Sequence, residues 1–179
     1  MNIKDVPSKH FSQRQGQKIK AVILHHTAGS NSLPYFQSND RQVSIHYLVV
    51  KDGTIYKMVD EQMAAHHDGY GKLGAMPNVN WGTLGVEMEN LGDGKDPYPD
   101  EQIAAVVELC QDIKKRYPEI VFLPHRLTST TGKIDPSYSW DKLMEKIYKI
   151  DSSNTQELEG EVSFLVRGLQ RLLKRYGGS

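Results

Sequence analysis

Short apolar runs that end abruptly in polar residues decide what this chain of 179 residues can fold into. Residues 20–24 form such a run and lead directly into two histidines, as expected for a buried strand that delivers polar side chains at its end. Residues 83–89 and 120–123 have the same character. Residues 43–59 alternate apolar and polar side chains around an Asp-Gly dipeptide, which favours a tight turn, so this segment predicts a β-hairpin.

Two further segments have the periodicity of amphipathic helices. The first begins at Asp100, which we predict as its N-cap, and ends in basic residues before Pro118. Cys110 falls on its apolar stripe, where a free cysteine packs as a small hydrophobe. The second follows Ser139, another predicted N-cap. Strands interleaved with helices predict an α/β fold, a mixed central β-sheet flanked by helices, over residues 1–150.

The end of the chain differs in character from this domain. Residues 151–160 are polar and predict a linker. Residues 161–179 contain a strongly amphipathic pattern that predicts a C-terminal helix. The pattern leaves its role open between docking on the domain and contact with an anionic membrane or polymer.

Composition excludes several classes of function. The 22 Lys and Arg balance the 22 Asp and Glu, so the chain lacks the basic excess of a general nucleic-acid-binding protein and we expect no nucleic-acid partner. A single cysteine excludes an internal disulfide and a Cys-rich zinc finger. The first residues lack the apolar stretch of a secretory signal, and no segment reaches the length of a membrane span. We therefore expect a protein located in the cytoplasm.

Several residues with metal-binding or acid–base chemistry stand at or near predicted strand ends. His25 closes the first strand, His125 follows the last, and Asp135 stands ten residues further on. Two imidazoles and one carboxylate can hold a catalytic zinc ion and leave a position for water, whose pKa then falls to about 7. Glu87 is a candidate to take the proton of that water, and Lys133 is a candidate to stabilise the developing negative charge.

Four motifs carry a family resemblance: residues 22–28 (Val-Ile-Leu-His-His-Thr-Ala), residues 43–49 (Val-Ser-Ile-His-Tyr-Leu-Val), residues 84–90 (Leu-Gly-Val-Glu-Met-Glu-Asn), and Pro124-His125 with residues 133–136 (Lys-Ile-Asp-Pro). In this order they resemble the zinc-dependent N-acetylmuramoyl-L-alanine amidases, a family that includes phage endolysins and the peptidoglycan recognition proteins. The resemblance covers roughly residues 18–150. Agreement of separate motifs in the right order is far more specific than any one of them.

The resemblance implies an activity and a set of site residues. The activity is hydrolysis of the amide bond between N-acetylmuramic acid and L-alanine in bacterial peptidoglycan, with Zn²⁺ as cofactor. Position by position, the resemblance implies that His25, His125 and Asp135 bind the zinc ion. It implies that Glu87 is the catalytic acid–base and that Lys133 stabilises the oxyanion. The implied fold is the α/β fold of the amidases and peptidoglycan recognition proteins.

Neighbouring polar residues are assigned different roles. His67 matches a loop histidine that lines the substrate cleft in relatives, with His66 as the alternative. His26 is not assigned as a ligand, because the first histidine of the pair matches the family's ligand. Glu89 is the weaker choice for the catalytic carboxylate, although it shares a strand face with the stronger one. His46 is predicted to be a structural histidine inside the sheet.

The chain departs from some phage members at two positions. Those members carry a tyrosine where this chain has Ile45, and a cysteine where it has Asp135. The chain therefore resembles the branch that uses a carboxylate ligand, and a tyrosine-assisted mechanism is not expected.

Three functions are compatible with these features. The first is a monomeric phage endolysin that accumulates in the host cytoplasm and acts on the cell wall after release. The second is a cytoplasmic recycling amidase that acts on soluble anhydro-muropeptides. The third is a module that binds muropeptides without cutting them, which the presence of all three predicted ligands disfavours.

Overall fold

The computed structural model describes residues 1–38, 40 and 42–149, so the predicted linker and C-terminal helix lie outside the described residues. The strands are β1 (Ile3–Asp5), β2 (Ser12–Gln13), β3 (Ala21–His26), β4 (Tyr47–Val49), β5 (Ile55–Lys57), β6 (Met63–Ala64), β7 (Thr83–Met88) and β8 (Val121–Pro124). The helices are α1 (Leu33–Gln37), α2 (Val79–Gly82), α3 (Asp100–Arg116) and α4 (Trp140–Tyr148), with a 3₁₀ turn at His125–Leu127. Within this described part of the chain, no helix has the length and apolar character needed to cross a membrane.

Six strands form one mixed sheet in the order β1-β5-β4-β7-β3-β8. The strands β4, β7, β3 and β8 run parallel to one another, whereas β5 runs antiparallel to β4 and forms the predicted hairpin with it. The strands β2 and β6 make a separate antiparallel pair. The predicted mixed sheet is confirmed.

Both faces of this sheet are covered. One face of β3 carries Val22 and Leu24, which pack with the buried side chains of α3 and α4. The other face carries Ala21 and Ile23, which pack in a second apolar cluster. Cys110 is fully buried in the cluster beneath the helices, which confirms its predicted packing role.

The two predicted N-caps have different outcomes. Ser139 caps α4 as predicted, since its side chain accepts a hydrogen bond from the backbone N–H of Lys142. The prediction for Asp100 is wrong, because Pro99 occupies the N-cap position of α3 and makes no side-chain cap bond. Asp100 is instead in the first turn, where its charge interacts favourably with the positive end of the helix dipole.

The parallel strands bring the predicted site residues to one edge of the sheet. Because β3, β7 and β8 run in the same direction, their carboxyl ends meet. In the register of β3 and β7, His25 lies beside Glu87. His125 follows the last residue of β8 directly.

Candidate metal centre and active site

The three predicted ligands, His25, His125 and Asp135, lie together at this carboxyl edge. One ligand atom from each lies within 4.8 Å of the other two, and all three residues are buried. The Oδ2 atom of Asp135 lies 2.8 Å from Nδ1 of His125 and 3.4 Å from Nδ1 of His25. The structure therefore brings together residues that are 110 positions apart between His25 and Asp135.

This set of donor atoms fits a zinc ion. Zinc accepts imidazole nitrogens and carboxylate oxygens at roughly 2.0–2.2 Å, which places two ligands of a tetrahedral ion roughly 3.4 Å apart. The separation of 3.4 Å between His25 Nδ1 and Asp135 Oδ2 matches that spacing, whereas the 2.8 Å between His125 Nδ1 and Asp135 Oδ2 is a hydrogen-bond distance that would lengthen around an ion. Three protein ligands also leave one tetrahedral position for water or substrate.

The protonation states of the ligands suit metal binding. Burial raises the pKa of Asp135, but its interactions with His125 and His25 outweigh this effect, so the pKa lies well below its ordinary value. Burial lowers the pKa of His25 to about 4, and its interaction with Asp135 offsets this only in part. At neutral pH the carboxylate is therefore ionised and His25 is neutral, as metal ligation requires.

Backbone hydrogen bonds hold the segment that carries two of the ligands. The carbonyl of His125 accepts hydrogen bonds from the backbone N–H groups of Thr128 and Ser129, at 3.0 and 2.9 Å. The carbonyl of Asp135 accepts one from the N–H of Arg126 at 3.1 Å. The segment thus closes on itself, which places Asp135 beside His125.

Glu87 is the candidate catalytic carboxylate. Its Oε2 atom is buried and has no hydrogen-bond partner among the described residues. Burial and the negative charge of Asp135, opposed by the positive charge of Lys133, raise the pKa of Glu87 to about 8. A carboxyl group with a pKa near the working pH can both accept and deliver a proton.

Lys133 and Ile45 are two further positions that the family resemblance singled out. Lys133 is exposed, and its charge acts on Glu87 across the site. Its own backbone N–H donates to Ser129 Oγ at 3.2 Å. Ile45 is fully buried in an apolar cluster with Phe36, so the position that carries a tyrosine in some relatives serves packing here.

Two other histidines lie outside the ligand set. His26 faces Ser137, with 3.3 Å between its Nδ1 and the serine Oγ, and its exclusion from the ligand set stays a prediction. His46 is fully buried, its Nδ1 accepts from the backbone N–H of Gly85 at 2.9 Å, and its Nε2 lies 3.1 Å from the carbonyl of Met63. The predicted structural character of His46 is confirmed.

His67, the residue predicted to line the substrate cleft, contacts His25. Its Nδ1 is 3.0 Å from Nε2 of His25, and its Nε2 is 3.2 Å from Oγ1 of Thr83. The side chain of the alternative residue, His66, contacts a different segment, with its Nδ1 3.1 Å from the carbonyl of Gln42. Contact between His67 and substrate stays a prediction.

Two buried polar residues beside the centre, Asp68 and Thr83, were not predicted from the sequence. The Oδ2 atom of Asp68 accepts a hydrogen bond from Thr128 Oγ1 at 2.6 Å, whereas its Oδ1 atom is buried without a partner among the described residues. Burial raises the pKa of Asp68 to about 6. Neither residue has a sequence signal, because their partners stand far away in the chain and Asp and Thr are ordinary residues in loops and at strand starts.

Comparison with known proteins identifies the family of this chain. The family model described as N-acetylmuramoyl-L-alanine amidase matches residues 15–138. The N-acetylmuramoyl-L-alanine amidase AmiD of Escherichia coli (strain K12) is 30% identical over 158 residues, which cover 75% of this chain and 57% of AmiD. The 1,6-anhydro-N-acetylmuramyl-L-alanine amidase AmpD of Haemophilus influenzae is 25% identical over 170 residues, covering 80% of this chain and 91% of AmpD.

A solved structure gives the same result. The complex of Escherichia coli AmiD with anhydro-N-acetylmuramic acid-L-Ala-D-gamma-Glu-L-Lys aligns with a TM-score of 0.62 at 26% identity, covering 79% of this chain and 60% of AmiD. The match thus spans little more than half the length of AmiD. From the family match, the relatives and the shared fold, we conclude that this chain belongs to the N-acetylmuramoyl-L-alanine amidase family.

Proposed function

We propose that this chain is a zinc-dependent amidase that hydrolyses the bond between N-acetylmuramic acid and L-alanine in bacterial peptidoglycan. One observation carries the proposal: ligand atoms of His25, His125 and Asp135 lie within 4.8 Å of one another, beside the unpartnered carboxylate oxygen of Glu87. Membership of the amidase family supports the choice of bond. AmiD and AmpD, which are named as amidases of this kind, support the choice of a muramoyl peptide.

The residues of this chain have separate roles in the reaction. Zinc held by His25, His125 and Asp135 would lower the pKa of a water molecule and polarise the scissile carbonyl. Glu87 accepts the proton of the attacking water at its buried Oε2 and delivers it to the nitrogen of the departing L-alanine. Lys133, with its exposed side chain, stabilises negative charge on the carbonyl oxygen.

The form of the substrate separates the cellular roles. The sequence favours a phage endolysin, a role that requires activity on the intact cell wall. A recycling enzyme instead acts on soluble fragments, and the name of AmpD and the ligand in the AmiD structure keep that alternative open. We propose intact peptidoglycan as the first substrate to test and soluble anhydro-muropeptide as the second.

Mass spectrometry of released products tests the proposal. The zinc-loaded chain is incubated with purified peptidoglycan and, separately, with soluble anhydro-muropeptide, and each reaction has a control with chelator. Stem peptides that begin with L-alanine and appear only with zinc are expected. Cleavage of the soluble substrate alone would assign the recycling role, whereas binding of both substrates without release would overturn the proposed activity.

The variant Asp135→Ala provides a matched test of the metal centre. Loss of the carboxylate ligand should lower the zinc content of the purified chain, measured by elemental analysis. Normal zinc content in this variant would contradict the ligand assignment.

A further inference from the structure

We infer that His67 and Thr83 are positioning residues: they form a directed chain of hydrogen bonds from the carbonyl of Val79 to His25, and this chain leaves Nδ1 of His25 free to bind the metal. The inference rests on the proposed zinc centre. It concerns residues that do not themselves touch the metal.

The contacts form an unbroken buried series. The hydroxyl of Thr83 donates to the carbonyl of Val79 at 2.7 Å. The same oxygen lies 3.2 Å from His67 Nε2, and His67 Nδ1 lies 3.0 Å from His25 Nε2. Thr83 is 0% exposed, His25 2% and His67 9%, so solvent has little access to replace any of these partners.

The direction of the series follows from its first member. A carbonyl oxygen can only accept, so the single hydroxyl hydrogen of Thr83 is used on Val79 and its oxygen is left as an acceptor. His67 Nε2 must then carry a hydrogen and donate it to Thr83, which leaves His67 Nδ1 unprotonated. That nitrogen accepts from His25 Nε2, and the remaining lone pair of His25 is on Nδ1, the atom that faces Asp135.

The reverse arrangement would let His25 Nδ1 donate to Asp135 across 3.4 Å, but it would block the metal. It requires His67 Nδ1 to donate to His25 Nε2, which places the hydrogen of His25 on Nδ1, where a zinc ion would bind. It also requires the Thr83 hydroxyl to turn from the carbonyl at 2.7 Å to the nitrogen at 3.2 Å.

The strand β7 explains how the sequence places the His67 ring. Side chains two residues apart share a strand face, so Thr83 and Glu87 lie on either side of Gly85 on one face of β7. A Cβ atom at Gly85 would lie 2.5 Å from Cγ of His67, so only glycine leaves room for this ring. The Oδ1 atom of Asn80 accepts from the backbone N–H of His67 at 3.1 Å and fixes the loop.

Paired substitutions at Thr83 test the inference in the full chain. Thr83→Val keeps the shape of the side chain but removes the hydroxyl, whereas Thr83→Ser keeps the hydroxyl. Mutation of a residue that hydrogen-bonds to a metal-bound histidine typically lowers metal affinity by about 10–100-fold. We expect Thr83→Val to weaken zinc binding by about tenfold and His67→Leu by more, with Thr83→Ser close to the wild type. Competition with a chromophoric chelator gives each dissociation constant.

The tautomer of His25 provides a readout that a merely structural role would leave unchanged. In ¹⁵N NMR spectra of the metal-free protein, we expect His25 to carry its hydrogen on Nε2 in the wild type and in Thr83→Ser. Thr83→Val should populate the Nδ1–H form. Unfolding curves in chelator identify a variant that has merely lost its fold.

Each outcome decides between two conclusions. Equal zinc affinity in Thr83→Val and Thr83→Ser, or an Nδ1–H tautomer of His25 in the wild type, would overturn the inference while the amidase proposal stands. A wild-type chain that binds no zinc would overturn both.

Discussion

Two polar clusters in this fold use similar side chains in opposite ways. The first, which we name the Glu61 cluster, lies beside the last turn of α3 and contains Arg14, Tyr47, Glu61, Arg116 and Tyr117. Here both carboxylate oxygens of Glu61 have donors: Tyr47 at 2.8 Å, Arg116 at 2.6 Å and Tyr117 at 3.0 Å. Arg14 donates to four backbone carbonyls, among them that of Glu61 at 2.8 Å.

The second cluster, at the carboxyl edge of the sheet, has more acceptors than donors. The nitrogens of His25 and His125 converge on the carboxylate of Asp135, and Glu87 has a buried oxygen without a partner among the described residues. A native fold usually satisfies its buried polar groups, so this surplus of acceptors indicates a site for a cation and for reacting groups. The comparison separates polar residues that stabilise the fold from those that are kept for chemistry.

The largest expected effect concerns Glu87. In Glu87→Gln the amide keeps the shape of the side chain but cannot accept and return a proton, so kcat/KM should fall by about 10²–10⁴-fold. Zinc content should stay normal, and the metal-free variant should be at least as stable as the wild type, because burial no longer disfavours a charge.

Kinetics on a soluble muropeptide, elemental analysis and urea unfolding in chelator measure these quantities. The exposed Glu119→Gln serves as the matched control. Activity of Glu87→Gln within tenfold of the control would show that Glu87 takes no part in the reaction. The carboxylate of Glu87 would then have a structural role, like that of Glu61.

The opposite behaviour is expected for Arg14. Replacing it by Met leaves several buried carbonyls without their donor, at about 1–3 kcal/mol each, so the free energy of unfolding should fall by about 3–5 kcal/mol. At low temperature, the folded fraction of Arg14→Met should bind zinc and turn over substrate as the wild type does. Urea unfolding measures the loss, and Lys9→Met, which removes an exposed charge from the same segment, is the control. If the loss in unfolding free energy is less than twice the loss in Lys9→Met, these carbonyls find other partners.

The smallest expected effect is the pH dependence of the Glu61 cluster. Burial raises the pKa of Glu61, but hydrogen bonds from Arg116 and Tyr47 lower it more, so this pKa lies below its unfolded value of 4.5. Such a group stabilises the fold fully above its unfolded pKa and loses this contribution as the pH falls through the folded pKa.

The wild type should therefore exceed Glu61→Gln in unfolding free energy by about 1–3 kcal/mol at pH 7, and the difference should shrink below roughly pH 4. Urea unfolding at several pH values, in chelator so that zinc does not contribute, gives the difference directly. A difference that grows on acidification would mean that Glu61 is protonated in the folded chain.

The sequence predicted the second cluster better than the first. Histidine and carboxylate side chains at the ends of apolar runs are visible in the sequence, and parallel strands bring their carboxyl ends together, so His25, Glu87 and His125 could be expected to meet. Arg14 could not be found in this way, because its partners are mainly backbone carbonyls, which every sequence contains.

Other differences have equally local causes. The strands β1, β2 and β6 have two or three residues each, too few to show an alternating pattern. Asp100 has the side chain of an N-cap, but the helix starts one residue early, so Pro99 takes that position. Thr83 is visible only as a strand residue, since its hydrogen-bond partners are set by the folded chain.

The closed segment that carries His125 and Asp135 has a consequence for folding as well. Because His25 stands 100 positions before His125, a zinc ion held by all three ligands would act as a removable cross-link across most of the domain. Its contribution would follow mass action, with about 1.4 kcal/mol of added stability for each tenfold rise in free zinc above the dissociation constant. The metal supply of its surroundings would then set how resistant this chain is to unfolding.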